Sequence, residues 1–315
     1  MRIGIVGAGS EAEQHVQAWR SVAAVTIVRA TSSYSQELRS MLDGEPLSAV
    51  SLCSPSPTRR LLAADCLEAG LPVLSELPLS GDVDSARTLL ESASRKPNAR
   101  LVPANRFRFS SDMQMARGII GGGSLGDMQS FRMNLTPPFA VGERTGYQPL
   151  SGPGILFDLG WQAVDLASYM FGIPHTIEAA RVRPGTPTAS DAVALRLEYA
   201  GGLTGEVRLC PSQFHAEPNL LLATGSDGRI EVGWNQSFFR PQQGEVSRLG
   251  DGFSFPEAYN RMMSLFTGVV QGFIPPWTTI AECREILGVI VAAQVALATD
   301  RPVPVVPTYR RPMAA

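Results

Sequence analysis

The stretch RIGIVGAGSEAEQH, residues 2–15, decides the fold. Arg2–Val6 is a short apolar run, the pattern of a strand buried on both faces of a parallel sheet. It ends in the turn Gly7-Ala8-Gly9, and a helical pattern follows through His15, Val16 and Trp19. Strand, glycine turn and helix in that order open a dinucleotide-binding βαβ unit. The glycines allow a tight turn and close approach of a pyrophosphate, and the helix N-terminus offers free N–H groups and partial positive charge. Gly7, Gly9 and Ala12 are therefore the expected nucleotide seat. Ser10 and Glu13 have the spacing of a capping box. Glu11 lies inside the turn, where it either opposes a pyrophosphate by like charge or faces solvent and favours the helix start.

Outward from this unit, strand and helix continue to alternate. Val25–Val28, Ala49–Cys53, Pro72–Ser75 and Arg100–Pro103 read as strands, with helices near 58–69, 82–94 and 110–120. Such alternation gives parallel strands joined by right-handed crossovers, a doubly wound Rossmann sheet. Gly121-Gly122-Gly123 marks a boundary, so we expect a dinucleotide-binding domain over 1–121 and a second domain over 122–315. The second half reads differently. A helix lies within Gly154–Gly172, and strand-like runs follow at Glu178–Val182, Ala192–Tyr199, Leu203–Leu209, Asn219–Thr224 and Arg229–Val232. Successive strands with tight turns indicate a mostly antiparallel sheet. Two helices near 256–273 and 279–298 close an α/β C-terminal domain, and the Pro-rich tail Arg301–Pro312 is expected to be extended.

Composition excludes several classes. The formal charge is −2, which invites neither nucleic acid nor an anionic membrane surface. No apolar run reaches the roughly 18 residues of a membrane span, and a strand starting at Arg2 leaves no room for a signal peptide, so a cytoplasmic location is expected. Cys53, Cys66, Cys210 and Cys283 are widely spaced and read as small buried hydrophobes; no metal site is expected. An acid normally follows the second strand to hold the ribose hydroxyls. Here the segment is Ala30-Thr31-Ser32-Ser33, which favours NADP over NAD, although no arginine follows to bind a 2′-phosphate.

The segments GIVGAGSEAEQH (4–15), AVSLCSPSPTRR (49–60), LEAGLPVLSELPL (67–79), ANRFRF (104–109) and GPGILFDLGWQAVD (152–165) together resemble the glucose–fructose oxidoreductase / inositol dehydrogenase / MocA family. The resemblance implies a Rossmann domain, a C-terminal domain with an open-faced sheet, NAD or NADP as cofactor, and a small-molecule substrate. It also implies a homodimer or homotetramer through that sheet. On the cofactor side it implicates Thr31, Ser32, Ser54, Pro55, Glu76 and Asn105. The family's Glu-Lys-Pro falls on Glu76-Leu77-Pro78. The lysine normally lies between nicotinamide and substrate, and Leu77 has no proton to give. The only lysine, Lys96, sits beyond the next helix. The family's Asp-x-Gly-x-His-x-x-Asp falls on Asp158–Asp165, with Gln162 in place of the acid/base histidine; glutamine does not titrate.

A polar pocket is still expected. Asp158, Gln162 and Asp165 share one helix face, with Asp158 either a cap or a substrate contact and Asp165 a helix-face hydrogen-bonder or a substrate contact. Arg106 or Arg108 holds an anionic group or forms an ion pair. Trp161 and Tyr147 lie on the expected substrate side, Tyr147 as a replacement acid or as core. His215 is a candidate replacement base, His15 reads as structural and His175 as exposed. Three functions fit: a reductase acting on an activated C=N or C=C/C=O group; a redox-neutral cyclase, isomerase or dehydratase; or a non-catalytic nucleotide-binding sensor. Ordinary sugar oxidation is disfavoured, because it needs a base where Gln162 stands.

Overall fold

The computed structural model describes residues 1–30, 35–96, 98–136, 154–182, 192–210 and 217–306. The chain divides into two compact units, Met1–Phe109 with Phe255–Leu287, and Ser110–Ser254 with Gly288–Arg310. The expected domains were the contiguous stretches 1–121 and 122–315; in the structure the chain returns to the first unit at Phe255.

The first unit is built on strands β1 (Arg2–Val6), β2 (Thr26–Ala30), β3 (Ala49–Leu52), β4 (Val73–Ser75) and β5 (Leu101–Pro103), all parallel in the order β2-β1-β3-β4-β5. Helices α1 (Ser10–Arg20), α2 (Ser35–Leu42), α3 (Ser56–Glu68) and α4 (Val83–Ser94) are the crossovers. The strand order reverses between β1 and β3, and ligands bind outside the carboxyl ends of strands at such a point. Ile3, Ile5, Leu52 and Leu74 are wholly buried, as continuous apolar strands between helical layers should be.

The second unit contains α5 (Ser111–Gly121), β6 (Met128–Asn134), α6 (Gly154–Phe171), β7 (Thr176–Arg181), β8 (Val193–Glu198), β9 (Thr204–Leu209), β10 (Asn219–Gly225), β11 (Gly228–Gly233), β12 (Ser237–Pro241) and β13 (Ser247–Gly250). Helices α7 (Phe255–Gln271) and α8 (Ile280–Thr299) and a short β14 (Val303–Pro304) complete the chain; α7 belongs to the first unit, and the division falls within α8. The nine-stranded sheet runs β13-β12-β11-β10-β6-β9-β8-β7-β14, antiparallel except for the β6–β9 pair. One face is covered by α6. Phe171 on that helix stacks on Phe131 of β6 at 4.0 Å, and a side chain at Gly205 would overlap the Phe131 ring. β6 lies inside this sheet, yet its sequence MQSFRMN shows only Phe131 and Met133 as apolar inward positions and does not announce a strand. No helix among the described residues is long and apolar enough to cross a membrane.

Candidate nucleotide site and the buried charge network

β1 delivers the chain into the glycine turn. Gly7 has φ +136°, and a Cβ there would lie 2.6 Å from the backbone of Cys53, so only glycine fits. Gly9 has φ +92° with open space where a side chain would project. The expected capping box does not form. Gly9 itself is the N-cap of α1 and no side chain caps the helix, while Glu13 turns to Arg29 at 2.7 Å. The helix therefore presents its first turn without an internal side-chain acceptor. Ala12 is fully buried beneath that turn. Thr31 and Ser32 lie outside the described residues.

Ser54 follows β3, Pro55 is the N-cap of α3, Glu76-Leu77-Pro78 follows β4 and Asn105 follows β5. All stand at the carboxyl edge of the sheet. Ser54 Oγ and Asn105 Nδ2 are buried with no hydrogen-bond partner among the described residues. Asn105 is oriented by its other atom: Oδ1 accepts from Trp277 Nε1 at 3.0 Å and from Thr278 Oγ1 at 3.3 Å, so its amide group remains a donor without an acceptor. An uncapped helix start, an open glycine and unpaired donors along one strand edge fit a dinucleotide.

Behind this edge lies a charge network that sequence reasoning did not find. The Glu76 carboxylate is wholly buried. Its Oε1 accepts from His15 Nε2 and from the Tyr259 hydroxyl, each at 2.9 Å, and Oε2 accepts from Arg106 Nη1 at 3.0 Å. Arg106 Nη1 also lies 3.3 Å from the Tyr259 oxygen, and its guanidinium lies near the rings of Phe107 and Phe255. Burial alone would raise the Glu76 carboxyl; Arg106, the His15 hydrogen bond and the more distant Arg59 outweigh it and hold the group well below the usual carboxylate range. Burial likewise lowers the tendency of Arg106 to stay protonated, but Tyr259, Glu76 and Glu11 reverse this, so Arg106 is held charged. Burial, partly opposed by Arg106, pushes the Tyr259 phenol up, which keeps it a donor to Glu76. Glu11 is half-buried and its negative charge acts on both Arg106 and Tyr259.

Of the two roles open to Arg106, the geometry shows the ion pair; Glu76 spends both oxygens inside the protein. Tyr259 stands 183 residues from Glu76 in the chain, and no local signal could have joined them. Leu77, beside this network, is 4% exposed. Lys96 is far from it in role, forming a surface pair with Glu68 at 3.7 Å.

In the second unit, α6 carries Asp158, half-buried, and Trp161, Gln162 and Asp165, all buried. Trp161 meets Phe157 edge-on at 5.7 Å. Trp161 Nε1 and Gln162 Oε1 have no hydrogen-bond partner among the described residues. Tyr147 and His215 lie outside the described residues, and His175 is exposed. Arg108 is buried. Cys53, Cys66 and Cys283 are buried and Cys210 is partly so; all are free thiols.

Residues 1–103 match the family model "Oxidoreductase family, NAD-binding Rossmann fold", and residues 113–231 match the "GFO/IDH/MocA C-terminal domain". The chain belongs to the GFO/IDH/MocA oxidoreductase family. The family's NAD-binding Rossmann domain is thus the first unit's sheet and its glycine turn. Among relatives, D-apiose dehydrogenase of Paraburkholderia graminis is 24% identical over 220 residues, covering 64% of this chain and 58% of that protein. Two uncharacterized oxidoreductases, from Schizosaccharomyces pombe and Escherichia coli, are each matched over only 45% of their length. The rhizopine catabolism protein MocA of Rhizobium meliloti is 25% identical over 325 residues, covering 95% of this chain and 96% of that one. A solved oxidoreductase of Agrobacterium radiobacter, in complex with NAD+, L-tartaric acid and magnesium, superposes with a TM-score of 0.82 at 17% identity, over 97% of this chain and 98% of the other. That likeness is one of fold.

Proposed function

We propose that this family member binds a nicotinamide dinucleotide at the carboxyl edge of β1–β5 and serves as a reductase of an activated C=N or C=C/C=O group in a small molecule. The observation that carries the reading is Leu77. The strand-end frame around it is intact, yet the position that the resemblance assigns to a proton-donating lysine holds a buried aliphatic side chain. Gln162 supplies hydrogen bonds at the position assigned to an acid/base histidine, but no titrating proton. Gly7, Gly9 and the first turn of α1 would hold the pyrophosphate, and Ser54 and Asn105 offer donors further along the edge. The bound reduced nicotinamide supplies a hydride, two electrons and one proton nucleus, to the substrate carbon.

An iminium ion takes that hydride and becomes a neutral amine with no further proton. An enone becomes an enolate, which takes its proton from water. Neither needs a base at Gln162, whereas oxidising an alcohol requires one to remove the hydroxyl proton. Leu77 would present an apolar wall that excludes water from the transfer. NADP is favoured over NAD because the sequence after β2 carries no acid to repel a 2′-phosphate.

The face of the nine-stranded sheet opposite α6 fits pairing with a second copy. The ion pair Arg132–Glu206 lines a cavity of about 700 Å³, and the pairs Arg208–Glu217 and Arg240–Glu231 add charges of both signs to the same sheet. The testing experiment follows NADPH absorbance with cyclic imines, enones and polyols. Oxidation of NADPH by imines or enones supports the reading. NADP-dependent polyol oxidation at rates typical of dehydrogenases sinks it. Binding of NADPH without turnover of any acceptor favours a redox-neutral reaction or a sensor.

A further inference from the structure

Arg59, on α3, is 3% exposed. Its Nε donates to the Ser54 carbonyl at 3.0 Å, Nη2 donates to the same oxygen, and Nη1 donates to the carbonyls of Glu76, at 3.0 Å, and Pro78. Each of these acceptors is a backbone oxygen. Ser54 lies just beyond β3, and Glu76 and Pro78 lie just beyond β4, which is the neighbouring parallel strand. One guanidinium therefore ties two adjacent strand exits together. A buried cation is a costly way to gain stability alone, since an apolar side chain of similar volume often serves as well. Its planar fork, with five donors in fixed directions, is suited to fixing the relative position of several acceptors.

The place of those exits follows from the sheet order. In a dinucleotide fold the pyrophosphate sits over the β1–α1 turn, and the adenosine ribose lies by the end of β2. The remaining half must extend to the other side of β1, over the ends of β3 and β4. We infer that Arg59 is a positioning residue that fixes the floor beneath the nicotinamide ring of the dinucleotide. It does so by holding the backbone that carries the unpaired Ser54 hydroxyl and the Leu77 side chain. This rests on the dinucleotide reading above. Arg59 itself touches no cofactor atom; it acts through Ser54 and the Glu76–Pro78 segment. The pyrophosphate seat keeps its own supports, Gly7 N to Ala30 O at 2.9 Å and Cys53 N to Val6 O at 2.8 Å, which do not involve Arg59.

The test compares two ligands on the full chain. NADH carries the nicotinamide ring, and ADP-ribose carries only the adenosine, pyrophosphate and distal ribose. Affinities are measured by calorimetry for wild type, Arg59→Met and Arg59→Lys, with a thermal melt of each. The expected result is a tenfold or greater loss of NADH affinity in Arg59→Met, with ADP-ribose changed by less than twofold. Arg59→Lys, which keeps a cation able to reach some of the carbonyls, should recover part of the loss. If Arg59→Met does not fold, the ratio of the two affinities in Arg59→Lys decides the matter. Equal losses for both ligands, or no loss for either, would overturn the inference while leaving dinucleotide binding in place. If wild type binds neither ligand, the dinucleotide reading fails and this inference with it.

Discussion

Replacing Glu76 with glutamine removes one charge from a site with no access to water. Glu76 is wholly buried and Arg106 has a side chain only 6% exposed. In Glu76→Gln the guanidinium keeps its charge but loses the carboxylate 3.0 Å away. Breaking a buried pair by removing one partner costs about 3–5 kcal/mol, because the other charge stays behind uncompensated. For a chain of this length each kcal/mol shifts the melting point by about 2 °C, so a drop on the order of 6–10 °C is expected. Arg106→Met should cost a similar amount, leaving the carboxylate with only His15, Tyr259 and the distant Arg59. The double variant Glu76→Gln with Arg106→Met removes both charges together, and the network reverts to neutral hydrogen bonds. Its loss should fall at least about 2 kcal/mol short of the sum of the single losses. Urea unfolding followed by tryptophan fluorescence measures all four proteins. A Glu76→Gln loss below about 1 kcal/mol, or strictly additive losses, would refute the description of this pair as a buried, mutually dependent one.

Other outcomes follow from the same geometry. The Glu76 carboxyl is held below its unfolded value, so its contribution to stability is complete above about pH 4.3. It drains as the pH falls towards about 2. Across that window wild type should lose stability faster than Glu76→Gln, which acid titration of the unfolding midpoint would show. Gly9→Ala places a Cβ in the open space over α1 at φ +92°, ψ −171°; the strain is about 1–3 kcal/mol, and dinucleotide affinity should fall at least tenfold in a protein that still folds. Gly7→Ala collides with the Cys53 backbone and should lower both the melting point and binding. Leu77→Lys combined with Gln162→His restores the two titrating side chains of the family pattern; measurable NAD(P)-dependent polyol oxidation is expected, and none would mean that the chain departs from that pattern in more than those two positions.

The first unit's sheet was legible because its signals are local. Apolar runs alternate with helical periodicity, and each crossover lies between the strands it joins. The glycine turn was legible for the same reason, since strand, turn and helix are contiguous. β6 was not, because an open sheet face lets Ser130 and Arg132 alternate with Phe131 and Met133 in a run of polar appearance. The return of Phe255–Leu287 to the first unit was invisible, because an amphipathic helix does not say which core it joins. The network around Glu76 failed for that reason too: Tyr259 reads as one more apolar position of α7. Arg59 and Arg60 are neighbours with the same side chain, yet Arg59 is buried and Arg60 is half-exposed. The helix face that separates them was within reach, but their partners, backbone carbonyls after two different strands, were not. The capping box at Ser10 and Glu13 had the right spacing and the wrong frame, since the helix starts one residue earlier than the motif requires.

The most direct measurement is a titration of the purified protein with NADPH and with NADH, following nicotinamide fluorescence. Saturable binding below millimolar concentration is expected for both, tighter for NADPH, and lost in Gly7→Ala. Absence of binding by either nucleotide at millimolar concentration would contradict the assignment of the strand edge at Gly7, Ser54 and Asn105 as a working nucleotide seat.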